Sequence, residues 1–323
     1  MPVQFMYCAE GSMSKNRCST ANEAKSPLSV LVLTRNEECN IRGCLESLTW
    51  TREVFVVDSE STDRTVEIAK SYGAKVLVHP FEGYSAQRNW ALANLPFSYD
   101  WILVLDADER IPAQLSEQIA GVISDSKNDN LGFYLNRRFF FMGRWLKHGG
   151  LYPSWILRLF RREAGRFDNR LVNEHVVLTG KHGNLQKPFD HKDLRPLAEW
   201  VGRHNRYAEL EAEEYLHESS GLAYPQAIPA CFWGSQPERK RWTKLYVWNK
   251  LPLLIRPFLF FIRNYVLRGG FLDGKPGFIY HILWSFWYPF LVSAKVVEKI
   301  KNQEQAKGAV VVNGDVPAAA RED

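Results

Sequence analysis

The sequence predicts an α/β fold, with a Rossmann-like, mostly parallel sheet covered by helices on both faces and a helical, aromatic extension behind it. Short apolar runs alternate with segments of helical spacing between residues 28 and 105. Such alternation is typical of right-handed βαβ units, whose strands are parallel and lie between layers of helices. The extension is indicated by the aromatic and apolar composition of residues 244–297.

Four strands and three helices are predicted in the first part. The strands are the apolar runs at residues 28–33, 54–57, 75–78 and 101–105. The first helix has Ile41, Cys44, Leu45 and Leu48 at helical spacing, and the third covers residues 84–94. The second begins near Thr62 and Asp63, which are residue types that cap helices, and ends at Gly73, a residue type that terminates them.

The later part of the chain changes character twice. From Phe133 onward it is rich in β-forming and aromatic residues, and residues 197–219 form a charged helical pattern. We therefore predict an α/β domain over residues 27–220 and a helical, basic and aromatic region over residues 221–301. Residues 1–26 are predicted to be a flexible leader and residues 302–323 a disordered tail.

Composition excludes several classes of protein. With 323 residues, 46% of them hydrophobic, the chain can form a packed core. The five cysteines show no Cys-x-x-Cys spacing, which argues against a disulfide scaffold or a zinc site. The N-terminal residues contain no apolar core of the kind that a secretory signal needs, so a cytoplasmic protein is expected. Basic residues outnumber acidic ones by eight to one between Glu238 and Arg268, which indicates a local cationic surface.

Three polar clusters follow predicted strands, at residues 34–38, 58–63 and 106–109. Because ligands of parallel sheets bind beyond the carboxyl ends of the strands, these clusters are expected to meet in one crevice. Asp106 and Asp108 form an Asp-x-Asp motif, and carboxylate oxygens are ligands that suit Mg²⁺ or Mn²⁺. An Asp-x-Asp tripeptide alone is more often a solvated turn, but its position after a buried strand favours a site where a cation meets a diphosphate.

These motifs resemble those of family 2 glycosyltransferases of GT-A fold. The similarity covers residues 28–200 and is carried by the first two polar clusters and by the Asp-Ala-Asp-Glu motif. Within that family the chain is similar to bacterial lipopolysaccharide-core β-glucosyltransferases, through His191 and residues 203–207 and, less specifically, through residues 263–265 and 270–274.

The resemblance implies roles for several residues at the donor site. It assigns nucleotide-sugar binding to Thr34, Arg35, Glu37, Asp58, Arg88 and Asp106. The first cluster can also be read as ordinary helix capping and Asp58 as part of a turn, whereas a lone arginine such as Arg88 most often faces solvent.

The resemblance also implies a metal site and a catalytic base. Asp108, Asp106 and His191 are the candidate ligands of Mg²⁺ or Mn²⁺, although a lone histidine is usually structural. Glu174 is the candidate base, but Asn173 precedes it where relatives commonly have histidine, and a structural ion pair is an equally good interpretation.

The resemblance implies an inverting, metal-dependent transfer of one hexose, with glucose favoured, from a UDP-sugar to a lipid-linked saccharide such as lipopolysaccharide core. A single addition is expected because the Gln-x-x-Arg-Trp motif of processive synthases is incomplete at Gln236. The alternatives are sugar transfer to polyprenyl phosphate and a catalytically silent membrane-binding scaffold.

Membrane contact is predicted from residues 277–294, a stretch without Asp, Glu, Lys or Arg. His281, Pro289 and seven aromatic residues within it favour a segment on the membrane surface, while a true span and buried core are alternatives. We expect peripheral association with the inner face of the cytoplasmic membrane. Nucleic acid is not expected as a partner, since no recognised binding module accompanies the basic residues.

Overall fold

A computed structural model of the protein describes residues 25–168, 176–219, 230–234 and 236–314. Within these residues the main sheet has nine strands in the order β3-β2-β1-β4-β8-β6-β11-β5, with β7 paired to β6 outside this path. A separate two-stranded sheet joins β9 and β10. The strands are β1 (Ser26–Thr34), β2 (Thr51–Asp58), β3 (Lys75–Val78), β4 (Trp101–Asp106), β5 (Glu109–Arg110), β6 (Gly132–Phe141), β7 (Arg144–Leu146), β8 (Trp155–Arg161), β9 (Gly165–Phe167), β10 (Val176–Leu178) and β11 (His182–Lys192).

Strands β1 to β4 are parallel to their neighbours, as the sequence predicts. β1 is buried on both faces, which explains why its sequence is a continuous apolar run rather than an alternating one. Val30 and Val32 belong to one core cluster with Ile41 of the first helix, whereas Leu31 belongs to a second cluster with Phe55. The two clusters lie on opposite sides of the sheet because successive side chains of a strand point to opposite faces.

Beyond β4 the sheet is mixed, where the sequence predicts a mostly parallel one. β8 is antiparallel to β4 and to β6, β11 is parallel to β6, and the short β5 is antiparallel to β11. β6, β7 and β8 follow one another without an intervening helix. Parallel neighbours need a long crossover, so such short connections produce antiparallel pairs.

Nine α-helices are present in the described residues: α1 (Ile41–Glu46), α2 (Thr65–Ser71), α3 (Tyr84–Asn94), α4 (Ala113–Ser124), α5 (Leu197–Ser219), α6 (Gln236–Tyr246), α7 (Arg256–Phe261), α8 (Gly274–Tyr280) and α9 (Tyr288–Gly314). The predicted end of α2 is confirmed, since Gly73 follows it with a φ of 78°. Its start is slightly later than predicted, although Asp63 Oδ1 accepts a hydrogen bond of 2.9 Å from the backbone N–H of Thr65.

The C-terminal helices pack against the α/β domain through α5 and α9 and through an aromatic contact. Lys295 of α9 forms an ion pair of 2.7 Å with Glu209 of α5. Tyr280 of α8 is buried in one cluster with Phe141 and Leu146. The C-terminal region therefore packs against the sheet at β6 and β7.

Several predicted boundaries can be compared with the described residues. Residues 1–24 of the leader and the junction at residues 220–221 lie outside them. Helix α9 continues past residue 302, where the tail is predicted to begin, to Gly314. Residues 277–294 are divided among α8, a π-helical segment (His281–Trp287) and α9. None of the helices in the described part of the chain has the length and apolarity needed to cross a membrane.

Candidate active site at the carboxyl edge of the sheet

The polar ends of β1, β2 and β4 lie side by side, as predicted. In the strand register Thr34 is paired with Asp58, and Leu33 is paired with Asp106. The Thr34 hydroxyl donates a hydrogen bond of 2.8 Å to Asp58 Oδ1. Asp58 Oδ2 accepts a hydrogen bond of 2.8 Å from the backbone N–H of Ser61, so this carboxylate also organises the turn after β2.

Arg35 and Glu37 follow β1 in very different surroundings. Arg35 is exposed, with its guanidinium 5.8 Å from the centre of the Phe81 ring. Glu37 is partly buried and forms an ion pair of 2.8 Å with Arg195. Burial raises the pKa of Glu37 to about 7, although the nearby charge of Arg195 opposes this rise. Glu37 thus contacts a side chain that is 158 residues away in the sequence.

Asp106 is held by two arginines. Arg88 Nη2 lies 2.7 Å from Asp106 Oδ1, and Arg158 Nη2 lies 2.6 Å from Asp106 Oδ2. Arg88 is 6% exposed, so its solvent-facing alternative is wrong and its side chain reaches the predicted site. Burial would raise the pKa of Asp106, but the charges of Arg158 and Arg88 outweigh it and hold that pKa well below the ordinary value.

Arg158 also contacts a second carboxylate, Glu109, at 2.5 Å. Glu109 is fully buried, and its Oε2 accepts a hydrogen bond of 3.0 Å from the backbone N–H of Asp106. Burial raises the pKa of Glu109 to about 7 despite the charge of Arg158. Arg158 was missed in the sequence, where its signal was a charged residue within the apolar strand at residues 155–160.

Asp108 lies in the turn between β4 and β5, and it faces His191 of β11, the strand that pairs with β5. His191 Nε2 is 3.5 Å from Asp108 Oδ2, and Arg195 Nη2 is 3.5 Å from the same oxygen. Asp108 Oδ1 and His191 Nδ1 are buried without a hydrogen-bond partner among the described residues. Burial lowers the pKa of His191, with the charge of Asp108 opposing the effect, so the neutral imidazole that metals bind is favoured.

These side chains only partly fit the predicted three-ligand metal site. Among the residues that the structure describes, no group of three or more His, Cys, Asp or Glu side chains is arranged to hold an ion. That Asp106 joins the other two ligands stays a prediction, and in the structure both of its carboxylate oxygens contact arginines. Asp108 and His191 do fit, since a buried carboxylate oxygen free of hydrogen bonds to the described residues and a neutral imidazole are suitable ligands for Mn²⁺ or Mg²⁺.

Arg195 contacts acidic residues that follow three different strands. Its guanidinium contacts Glu37 after β1, Asp108 after β4 and Asp193 after β11. Asp193 in turn accepts a hydrogen bond of 2.5 Å from Arg203 of α5. Arg195 was not singled out from the sequence, where nothing distinguishes it from the other basic residues. Its position explains how α5, whose residues 203–207 are part of the family resemblance, is connected to the site.

Glu174, the candidate base, lies within residues 169–175, outside the described part of the chain. Its role therefore stays a prediction. The nearest strands on either side are β9 and β10, which pair with each other so that Phe167 is opposite Val176.

Comparison with known proteins shows that this chain is similar to glycosyltransferases. The family model described as glycosyl transferase family 2 matches residues 29–189. The chain is 29% identical over 283 residues to the lipopolysaccharide core biosynthesis glycosyltransferase LpsC of Rhizobium meliloti, covering 85% of this chain and 93% of that protein. It is 26% identical to an uncharacterised glycosyltransferase of Rickettsia typhi, covering 84% of this chain and 87% of that one.

Two solved structures are also similar in part. The alignment with residues 1–349 of S. aureus TarS in complex with UDP has a TM-score of 0.42 and 18% identity, and it covers 86% of this chain and 91% of that one. The alignment with the mannosyltransferase PcManGT of Pyrobaculum calidifontis, in complex with GDP-Man and Mn²⁺, has a TM-score of 0.48 and 15% identity, covering 84% and 87%.

Proposed function

Residues 29–189 form a glycosyltransferase family 2 domain, and on this premise we propose that the protein transfers a single hexose from a UDP-sugar to a lipid-linked saccharide. Glucose is the favoured sugar, lipopolysaccharide core the favoured acceptor, and the transfer is inverting and assisted by Mg²⁺ or Mn²⁺. The observation that carries the proposal is the buried Asp108 Oδ1, which has no hydrogen-bond partner within the described chain and lies beside the polar ends of β1, β2 and β4.

The nucleotide end of the donor is proposed to bind over β1 and β2. The Asp58 carboxylate can accept a hydrogen bond from the N–H of a uracil ring, in exchange for its bond to the Ser61 hydroxyl. Arg35 follows Thr34, the residue paired with Asp58 in the register, and it is exposed and can contact the ribose or phosphate. The backbone of residues 34–37 would complete the pocket with short polar groups.

The diphosphate is proposed to lie at Asp108. Asp108 and His191 would hold the divalent cation, which when bound offsets the negative charge that develops on the departing nucleotide. Arg195 offsets the negative charges of two further carboxylates, Glu37 and Asp193, because it contacts both. Arg88 and Arg158 keep Asp106 ionised and oriented toward the site, where it can accept hydrogen bonds from the ribose. Glu174 would take the proton of the acceptor hydroxyl as that oxygen attacks C1 of the sugar.

The acceptor class is supported by the similarity to LpsC, which is named for lipopolysaccharide core biosynthesis. Such an acceptor is attached to a membrane, and contact with that membrane is proposed for the C-terminal region. Its exposed apolar side chains lie beside the exposed cations Arg263, Arg268 and Lys275. These apolar residues are Leu254, Ile255, Phe258, Leu259, Ile262, Val266, Leu267, Phe271, Leu272 and Phe278. Apolar and basic groups together favour the interface of an anionic membrane.

The donor assignment predicts selective stabilisation by uridine nucleotides. UDP-glucose with Mn²⁺, at about 100 times its dissociation constant, is expected to stabilise the fold by about 2.7 kcal/mol. The melting temperature and the release of UDP in the presence of truncated-core lipopolysaccharide check this. GDP-mannose and ADP-glucose are the controls. Equal stabilisation by GDP-mannose, or transfer from it, would overturn the choice of a uridine donor.

The membrane surface predicts a second result. The double substitution Leu267→Ser and Phe271→Ser removes two side chains that are 77% and 51% exposed. Each buried side chain of this size contributes about 1.5–3 kcal/mol, so binding to phosphatidylglycerol vesicles should fall at least about tenfold. Co-sedimentation with vesicles measures the change. Val78→Ser, which alters a 60% exposed residue on the edge strand β3, is the matched control and should bind like the wild type. Undiminished binding of the double variant would exclude this surface.

A further inference from the structure

Two neighbouring arginines of β6 lie in opposite electrostatic surroundings. Successive side chains of a strand point to opposite faces, so Arg137 and Arg138 lie on different faces of the sheet. Arg138 is opposite Asp190 of β11 in the register and forms an ion pair of 2.6 Å with it. The positive charge of Arg138 is therefore neutralised within the fold.

Arg137 has no such partner in the part of the chain that the structure describes. Within that part its Nε is buried without a hydrogen-bond partner, and its guanidinium lies 5.8 Å from the centre of the Phe139 ring. By contrast, Arg88, Arg158 and Arg195 each contact at least one carboxylate. A partly buried cation without a partner is unfavourable, since neither water nor an opposite charge fully compensates it. Such a group is suited to an anion that arrives with a substrate.

Arg137 lies on the face that carries the candidate metal site. Phe139, two residues along β6 and therefore on the same face, is opposite His191 in the register, and the two rings are 5.2 Å apart. His191 in turn faces Asp108. Phe139 thus lies next to both the Arg137 guanidinium and His191, one of the two residues proposed to hold the cation at the diphosphate.

The position along the sheet distinguishes the acceptor side from the donor side. The nucleotide is proposed to bind over β1 and β2, while β6 is separated from β4 by β8. Phe139 is instead 4.9 Å, centre to centre, from the ring of Tyr280, which belongs to the C-terminal region proposed to contact the membrane. A group bound at Arg137 would therefore lie between the diphosphate and the membrane surface, where the acceptor must enter.

We propose that Arg137 binds an anionic group of the acceptor, a phosphate or a carboxylate close to the hydroxyl that reacts. This rests on the proposed function and specifies the acceptor further: it is an acidic saccharide. Arginine is suited to the task because its planar guanidinium binds phosphate or carboxylate through two parallel hydrogen bonds. The acidic group positions the acceptor hydroxyl, and a neutral saccharide of the same size would bind weakly.

The experiment compares Arg137→Gln, Arg137→Lys and the neighbouring control Arg138→Gln. Transfer from UDP-glucose is measured with truncated-core lipopolysaccharide as prepared, after removal of its phosphates with hydrofluoric acid, and after reduction of its carboxylates to alcohols. A charge-assisted hydrogen bond contributes enough that Arg137→Gln should raise the acceptor KM roughly 10- to 100-fold. The donor KM and the slow hydrolysis of UDP-glucose without acceptor should not change.

The pattern of results decides between sources of the anion. One of the two chemical treatments should raise the acceptor KM of the wild type to the level of Arg137→Gln and have no further effect on that variant. Arg137→Lys should keep most of the affinity, and Arg138→Gln should keep the wild-type KM. A rise in the donor KM of Arg137→Gln would assign the residue to the donor diphosphate and overturn the proposal. Insensitivity of the wild type to both treatments would also overturn it.

A binding measurement keeps this inference separate from the proposed function. With UDP and Mg²⁺ saturating the donor site, inorganic phosphate should raise the melting temperature of the wild type and of Arg138→Gln, but not of Arg137→Gln. Identical shifts in all three proteins would refute the anion site, whatever the acceptor is. Absence of UDP-glucose turnover together with the expected phosphate response would instead refute the proposed function and retain the anion site.

Discussion

Replacing Asp108 with asparagine is expected to lower the rate of sugar transfer by about a thousandfold or more, because the loss of metal assistance removes several kcal/mol of transition-state stabilisation. The fold should not be weakened. Asp108 Oδ1 forms no hydrogen bond with the described residues, and the side chain lies close to the carboxylate of the buried Glu109. Removing a buried, incompletely paired charge relieves desolvation and repulsion, so the melting temperature should stay the same or rise.

Three measurements check this result. Transfer is followed while Mn²⁺ is titrated, Mn²⁺ binding in the presence of UDP is measured by calorimetry, and the melting temperature is recorded. Asp129→Asn is the matched control, because Asp129 forms an exposed ion pair with Lys181 just before the starts of β6 and β11, at the opposite end of β11 from His191, and its loss should have little effect. Wild-type activity in Asp108→Asn would refute the metal site, whereas a large loss of stability would show that Asp108 is structural.

The part of the site that could be predicted from sequence is the part that depends on local periodicity. An apolar run that ends in polar residues identifies both a strand and its carboxyl end, so Thr34, Asp58 and Asp106 could be expected at one edge from the order of residues alone. The register then places them as neighbours. The inward direction of Arg88 followed from the family resemblance rather than from its own chemistry.

The remaining part depends on contacts between residues that are far apart in sequence. Arg158 reaches Asp106 and Glu109 from β8, and Arg195 reaches Glu37 and Asp108 from beyond β11. No periodic pattern reports such a contact, because the spacing along one strand carries no information about the strand that will pair with it. The same limitation applies to Asp106, whose metal role was inferred without knowledge of the two arginines that contact it. It also explains the mixed half of the sheet.

The buried ion pair of Arg158 and Glu109, together with the partly exposed Asp106, supports a prediction about stability. Arg158→Met should reduce the free energy of unfolding by about 3–5 kcal/mol, the usual effect of removing one partner of a buried ion pair. The side chains of Arg158 and Glu109 are 9% and 0% exposed, so water cannot replace the lost contact. Activity should fall as well, because Asp106 would keep only Arg88 as a cationic partner.

A second substitution separates the electrostatic effect of removing Arg158 on stability from the loss of its packing. Arg158→Met combined with Glu109→Gln removes the charge that would otherwise be buried alone, while a glutamine oxygen can still accept the hydrogen bond from the Asp106 backbone N–H. Urea unfolding of the two variants at pH 8 should therefore show the double variant to be more stable than Arg158→Met alone, since replacing both partners of a buried pair is far less damaging than removing one. If the two substitutions lower the free energy of unfolding additively, Arg158 acts through packing. That result would refute the electrostatic explanation of how Asp106 is held at the site.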